Sequence, residues 1–334
     1  MSFDLDRAAD VLRSAGSVVL TGHINPDPDA LGAVLGLANH LRSLGIATVT
    51  TYPNEPLDPP RWASMLPGAD LLTEVRDVPE RPEVMVTCDC ASFDRLGPLG
   101  PRAEHAGELI WIDHHRSNDG RGTVRLVDPE ASSTCEIVVR LIDAIGGAMT
   151  DDSAVCLYAG LVTDTGRFQY AATTPETLRV VARLREHPFD HAALSRALYE
   201  DNGAPYLRLL GLALQRLRVE QESDLAWTYV TQADLRGAGV QSDETDDLID
   251  VIRTAREADV AALVKQQRDG RFKVSVRSRG GHDLAAVAAA FGGGGHRLAA
   301  GYTSEHGPQV TIDRLIAALR EATSVADATP SPGP

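Results

Sequence analysis

Several short stretches of this chain carry side chains able to hold a cation. In His23-Ile24-Asn25-Pro26-Asp27-Pro28-Asp29, an imidazole and two carboxylates fall on near positions, and two prolines stiffen the stretch. That stiffness lowers the entropy lost when ligands are fixed in place. Asp89 ends the apolar run VMVTCD, where a carboxylate is costly unless it meets a cation or a hydrogen-bond donor. Asp113-His114-His115 closes the apolar run LIWI; one His can ligate while the Asp fixes its tautomer, leaving the second His to face a phosphate. Asp164, in GLVTDTGRF, follows an apolar helical pattern and enters a polar loop. Each feature has a plain alternative: Asp29 as a helix cap, Asp89 as a turn residue, Cys88 and Cys90 as packed thiols rather than ligands. Taken together, six imidazole or carboxylate groups at the ends of elements supply the mixed oxygen and nitrogen ligation that suits Mn2+ or Mg2+ pairs.

A second group of candidates lies more than 100 residues later. FGGGGHRLAAG (291–301) lets the backbone approach a ligand and offers amide donors, with His296 and Arg297 beside them. A flexible linker is the alternative. Before it, Lys273, Ser275, Arg277 and Arg279 share one face of a strand by period two, with Val274 and Val276 opposite. A solvated outer face explains Lys273 and Arg279 equally well; Arg277 leads toward the glycine run and is the preferred phosphate or base contact.

Something must carry these residues to common ground. SVVLTGH (17–23), IATVTTY (46–52), VMVTCD (84–89) and LIWIDHH (109–115) read as strands, and 29–45, 132–147 and 151–168 as helices between or after them. Alternation of this kind predicts a parallel sheet with helical crossovers. Three strands end in His or Asp, and a parallel sheet puts all carboxyl ends on one edge, where open α/β sheets place their sites. Ser133, three residues before Glu136, suggests a capping box. Helices from about 175 to 220 lead to a second unit starting near 225, with a hairpin around Asp269-Gly270, a helix over 283–291 and the glycine-rich loop. The expected fold class is α/β, with boundaries at 1–190 for a parallel-sheet domain with flanking helices, 191–224 for a helical linker, 225–324 for a smaller α/β domain and 325–334 for a disordered tail.

The 334 residues carry a net charge of −15, which argues against a protein that coats long nucleic acid, since phosphate binding needs concentrated positive charge. Any polyanionic ligand is therefore small. The only two lysines, Lys265 and Lys273, fall late in the chain with several arginines, and whatever positive surface exists is expected there. Four cysteines, Cys88, Cys90, Cys135 and Cys156, make no CxxC pair and read as buried thiols. No run is long enough for a membrane span and the start lacks signal-peptide order, so the expected location is the cytoplasm, without membrane association.

HINPDPD, CDCAS, DHH, the VTDTGRF aspartate and GGGGHRLAAG occur in the order seen in the DHH phosphoesterase family with its DHH-associated C-terminal domain. The chain resembles the nanoRNase and pAp phosphatase branch of that family over about residues 5 to 322. The resemblance implies one Mn2+ held by His23, Asp27 and Asp89 and a second held by Asp29, Asp89, His114 and Asp164, with Mg2+ or Co2+ as alternatives and Asp89 bridging. It implies a catalytic role for His115 at the phosphate and one for Asp113 as the orienting partner of a neighbouring His. It implies nucleotide contacts from Arg277, Gly294, Gly295 and His296, an active site in a cleft between the two domains, and a homodimer. The implied reaction is hydrolysis of short RNA and of linear or cyclic dinucleotides (pApA, cyclic di-AMP) to mononucleotides, and of pAp to AMP and phosphate. Two other functions compete with it: a metal-dependent nucleotide sensor without turnover, and an inorganic pyrophosphatase.

Overall fold

The computed structural model describes residues 4–242 and 245–327, and the chain divides into two compact units after Asp201. The first contains α1 (Leu5–Ser14), β1 (Ser17–Thr21), α2 (Pro28–Ser43), β2 (Ala47–Thr51), β3 (Val84–Cys88), α3 (Gly100–Glu104), β4 (Glu108–Asp113), β5 (Val124–Val127), α4 (Thr134–Ile145), α5 (Asp151–Asp164), α6 (Pro175–Leu184) and α7 (His191–Tyr199). The strands form one parallel sheet in the order β2-β1-β3-β4-β5. Both of its faces are covered, so its central strands are apolar throughout rather than alternating. Val18, Leu20, Val86, Ile110 and Ile112 face α2, α4 and α5, while Val19, Met85, Leu109 and Trp111 pack on Leu96, Leu99 and Ala103. The chain order reverses between β1 and β3, the place where open sheets of this kind leave a crevice at the strand carboxyl ends.

The second unit contains α8 (Ala204–Gln215), β6 (Arg218–Glu220), β7 (Leu225–Val230), α9 (Gln232–Ala238), α10 (Leu248–Ile252), β8 (Val260–Gln266), β9 (Phe272–Ser278), α11 (Leu284–Ala289), β10 (Gly294–His296), β11 (Ala299–Ser304) and α12 (Pro308–Asp327). Its mixed sheet runs β10-β11-β9-β8-β7-β6, with only β7 and β8 parallel. Phe272, Val274 and Val276 alternate into the core beneath α11 and α12 while Lys273, Ser275 and Arg277 face the other way. The stretch 191–224 is shared out: Leu194 of α7 packs in the first unit's core, and Leu209 and Ala213 of α8 pack in the second. Of the tail expected over 325–334, residues 325–327 belong to α12 and 328–334 lie outside the described residues. Among the described residues, no helix is long and apolar enough to cross a membrane.

Three local readings change. The glycine run is not simply a loop: Gly294–His296 pairs antiparallel with Ala299–Gly301 as an edge strand. A Cβ at Gly293 would lie 2.2 Å from the Gly301 carbonyl oxygen, and one at Gly295 2.5 Å from that of Ala299, so these glycines serve close strand pairing. Lys265 is not surface charge; it is buried and bonds Asp246, Thr245 and the Ser242 carbonyl. The capping box at α4 is half made: Ser133 accepts from Glu136 N–H, but the Glu136 carboxylate accepts from Ser132 and Thr177 and pairs with Arg140.

Helices α2 and α5 approach closely because Gly32, Gly36 and Gly160 leave room between them. A Cβ at Gly32 would sit 2.5 Å from the Cys156 carbonyl oxygen, and a buried backbone cannot give way cheaply. Gly32→Ala is therefore expected to cost about 2 kcal/mol. Gly211→Ala, in α8 where a Cβ meets nothing within 4 Å, is expected to add roughly 0.5–1 kcal/mol through helix propensity. Urea titrations of both variants followed by circular dichroism check the pair; shifts of the same sign contradict this packing argument.

Candidate metal centre

Neighbouring parallel strands deliver the first-unit candidates to one edge. His23 lies two residues beyond β1, Asp89 one beyond β3, and His114 one beyond β4. Asp27 caps α2, its Oδ1 accepting from Asp29 and Ala30 N–H at 3.0 Å; the cap is Asp27, not Asp29. The other Asp27 oxygen is left to face His23 Nε2 at 3.8 Å. Asp89 leaves β3 with φ +59°, a left-handed conformation unusual for a non-glycine residue and common where a site constrains the backbone. The turn aims its nearly fully buried carboxylate into the crevice. Asp164 ends α5, and the chain turns sharply behind it through Gly166, Arg167 and Phe168, all with positive φ.

Asp89 is the hub. Its Oδ2 lies 3.5 Å from His23 Nε2, and its Oδ1 lies 3.5 Å from His114 Nε2 and 3.5 Å from His115 Nδ1. Oδ1 also accepts from Thr134 Oγ1 at 3.0 Å. Asp29 is held by the amino end of α4: its carboxylate accepts from Thr134 N–H at 2.7 Å and Cys135 N–H at 2.9 Å, the end of a helix that favours negative charge. His114 Nε2 reaches Asp164 Oδ2 at 3.4 Å. His115 Nδ1 lies 2.6 Å from Asp113 Oδ1, whose Oδ2 accepts from Asn118 at 2.6 Å. All six candidate ligands of the first unit thus come together, with the His115–Asp113 pair beside them.

The electrostatics of this cluster are those of too many carboxylates in too little space. Burial and the Asp89 charge push Asp29 up to about 6 against the pull of His114. Burial together with Asp29, Asp89 and Asp27 raises Asp164 well above the carboxylate range. Burial opposes ionisation of Asp89 too, but His23, His115 and His114 hold it below that range. Burial would lower His23, yet Asp27 and Asp89 carry it up to about 10; Asp89 likewise raises His114, and Asp113 raises His115. A divalent cation would relieve this excess of negative charge. The donor atoms are also close enough to share one: within each of the sets His23–Asp27–Asp89, Asp89–His114–His115 and Asp29–His114–Asp164, the three donor atoms lie within 4.8 Å of one another. Oxygen and imidazole donors in this mixture fit a hard or borderline divalent ion. The four cysteines supply no donor, being buried thiols whose ionisation burial pushes up.

Of the second-unit candidates, Arg277 sits on β9 in register with Ala299 of β11, which in turn pairs with His296 of β10. Ser275, Gly301 and Gly294 form the next row, a floor of small residues. Gly295 pairs with Ala300 between those rows. The sequence reading passed over Thr134, Asn118 and Arg95. Thr134 and Asn118 carry no titratable group and so gave no signal; Arg95, six residues after Asp89, could have been noticed as a cation beside an acidic motif.

Metal-free protein should lose stability as pH rises. His23 titrates near 6.5 when unfolded and about 10 when folded, so its contribution is full below 6.5 and is lost as pH climbs through 10. Asp29, raised from 3.8 to about 6, acts in the same direction, because ionising it in the folded state becomes unfavourable above pH 4 and fully so above 6. In EDTA, the thermal midpoint is expected to fall between pH 6.5 and 9, and His23→Gln to flatten that fall. A midpoint that rises over this window contradicts the carboxylate-rich reading.

A model of the DHH family N-terminal domain matches residues 17–161, and one of the DHHA1 domain matches residues 225–325. The chain is 33% identical to the bifunctional oligoribonuclease and PAP phosphatase NrnA of Thermus thermophilus, over 94% of this chain and 92% of that protein. It is 29% identical to the Bacillus subtilis protein of the same name, over 85% and 88%. It is 26% identical to the cyclic-di-AMP phosphodiesterase GdpP of Geobacillus thermodenitrificans, over 94% of this chain and 48% of that one. An exopolyphosphatase-related protein from Bacteroides fragilis shares the fold, with a TM-score of 0.89 at 23% identity and 97% of both chains covered. With both domain models matched in order and relatives aligned over most of its length, the chain belongs to the DHH family of phosphoesterases and is a hydrolase.

Proposed function

We propose that this protein hydrolyses short oligoribonucleotides to mononucleotides and pAp to AMP and phosphate, with two Mn2+ ions as cofactor. The observation that carries the reading is the convergence of six oxygen and imidazole ligands, the buried Asp89 carboxylate among them. The names of the Thermus and Bacillus relatives support the substrates, and that of GdpP supports cyclic di-AMP; we include the linear dinucleotide pApA on the same phosphodiester chemistry. His23, Asp27 and Asp89 would hold one ion, and Asp29, Asp89, His114 and Asp164 the other, with Mg2+ or Co2+ able to substitute. When bound, such a pair supplies Lewis acidity to phosphoryl oxygens and lowers the pKa of an attacking water.

The chain's own residues do the rest. His115 donates through Nδ1 to Asp113, and in the protonated form that Asp113 and Asp89 favour against burial its second nitrogen is a hydrogen-bond donor to the phosphate. Thr134 keeps Asp89 pointed inward, and the α4 amides keep Asp29 ionised against its burial. Arg277, Gly294, Gly295 and His296 are assigned to the nucleotide. A net charge of −15 disfavours long nucleic acid. We place the enzyme in the cytoplasm as a homodimer.

With Mn2+, release of AMP from pApA and pAp should fall by about a thousandfold in Asp89→Ala. Equal rates in the wild type and the variant sink the proposal. A side-by-side panel of pAp, pApA, short RNA, cyclic di-AMP and pyrophosphate ranks the substrates. Phosphate from pyrophosphate without product from pAp indicates a pyrophosphatase; tight calorimetric binding of pAp with no product over hours indicates a sensor.

A further inference from the structure

Arg95 reaches the cluster from a loop that none of the candidate motifs supplied. It lies in the short 3-10 segment Phe93–Leu99 behind Asp89, and its carbonyl accepts from Ile24 N–H at 3.0 Å. That bond fastens the loop after β3 to the loop after β1. The Arg95 Nη2 then lies 2.7 Å from His23 Nδ1 and 3.5 Å from the Ile24 carbonyl oxygen.

Two contacts compete for His23 Nδ1. It lies 2.8 Å from the Ile24 carbonyl oxygen, to which it can only donate, and 2.7 Å from Arg95, from which it can only accept. A ring nitrogen cannot do both. The tautomer that bonds Ile24 carries its hydrogen on Nδ1 and leaves a lone pair on Nε2, the nitrogen that faces Asp27 and Asp89. In the tautomer that suits a ligand, therefore, the Arg95 donors have no acceptor at His23.

Arg95 is exposed, and no ion pair holds it among the described residues. Three other arginines of the first unit are otherwise engaged: Arg116 with Glu130, Arg121 with Asp119 and the Phe93 ring, Arg167 over the Tyr199 ring. The carboxylates of the cluster repel an anionic substrate, and a planar guanidinium beside them offers the forked donors that match phosphate oxygens. We infer that Arg95 is a substrate-binding residue whose guanidinium grips a phosphate group of the substrate at the rim of the His23–Asp27–Asp89 set. The inference rests on the phosphoesterase reading proposed above and adds a cationic contact from the first unit.

Three measurements on wild type, Arg95→Ala and Arg95→Lys test it: Mn2+ affinity by calorimetry, inorganic phosphate affinity in the presence of Mn2+, and kcat and KM for pAp. Arg95→Ala should weaken phosphate binding and raise KM by about ten- to a hundredfold, with Mn2+ affinity within about threefold of wild type. Arg95→Lys should recover part of the loss, because an ammonium keeps the charge without the fork. Unchanged phosphate affinity and KM in Arg95→Ala overturn the inference, as does a matching loss of Mn2+ affinity, which makes Arg95 a support for His23 instead. If wild type leaves pAp intact, the proposed substrate fails while phosphate affinity still judges Arg95.

Discussion

The first unit is organised around one buried anion. Asp89 sits at the end of β3 in a left-handed turn, nearly fully removed from water, with imidazoles from two other strand ends and a threonine hydroxyl around it. Burying an ionised carboxylate is unfavourable unless positive charge and donors are supplied in place. That need explains features that otherwise look unrelated. The strand ends must be adjacent, the backbone must adopt an unusual angle, and α4 must begin where its Thr134 can reach back to the carboxylate.

The amino end of α4 does for Asp29 what the imidazoles do for Asp89. Two backbone amides bond the Asp29 carboxylate, and the helix start is itself secured by Glu136, which is buried yet accepts from Ser132 and Thr177 and pairs with Arg140. Helix α5 brings Asp164 in from another side, and it can lie close to α2 only because glycines stand at the crossing. A Cβ at Gly160 would fall 2.8 Å from Asp29 Oδ1, so the packing of two helices and the placement of one ligand are the same constraint. The stability of this unit and the geometry of its site are therefore not separable.

In the second unit, the glycine-rich run is read best as sheet structure. Its residues add an edge strand and bring Arg277, Ala299 and His296 into one row of register, with a neighbouring row of Ser275, Gly301 and Gly294. Small residues there keep the sheet face low beside Arg277. Lys265, which the composition suggested as part of a basic surface, instead lies inside and ties down the segment carrying Asp246.

The sequence by itself determined the parallel sheet, its helical crossovers and the six acidic and imidazole residues at element ends. Those follow from local pattern: apolar runs, prolines, and polar groups where a strand or helix must stop. The resemblance already named Asp89 as the shared carboxylate, but tertiary structure alone supplied the groups that hold it, because the Asp89 contacts come from residues 23, 114, 115 and 134, and spacing along the chain says nothing of such distances. It also decided that Asp27 rather than Asp29 caps α2, that Glu136 turns to Ser132, and that Arg95 lies beside His23. In each case a side chain chose among several nearby partners. That choice depends on the strands and helices packed around it, which no local window of sequence contains.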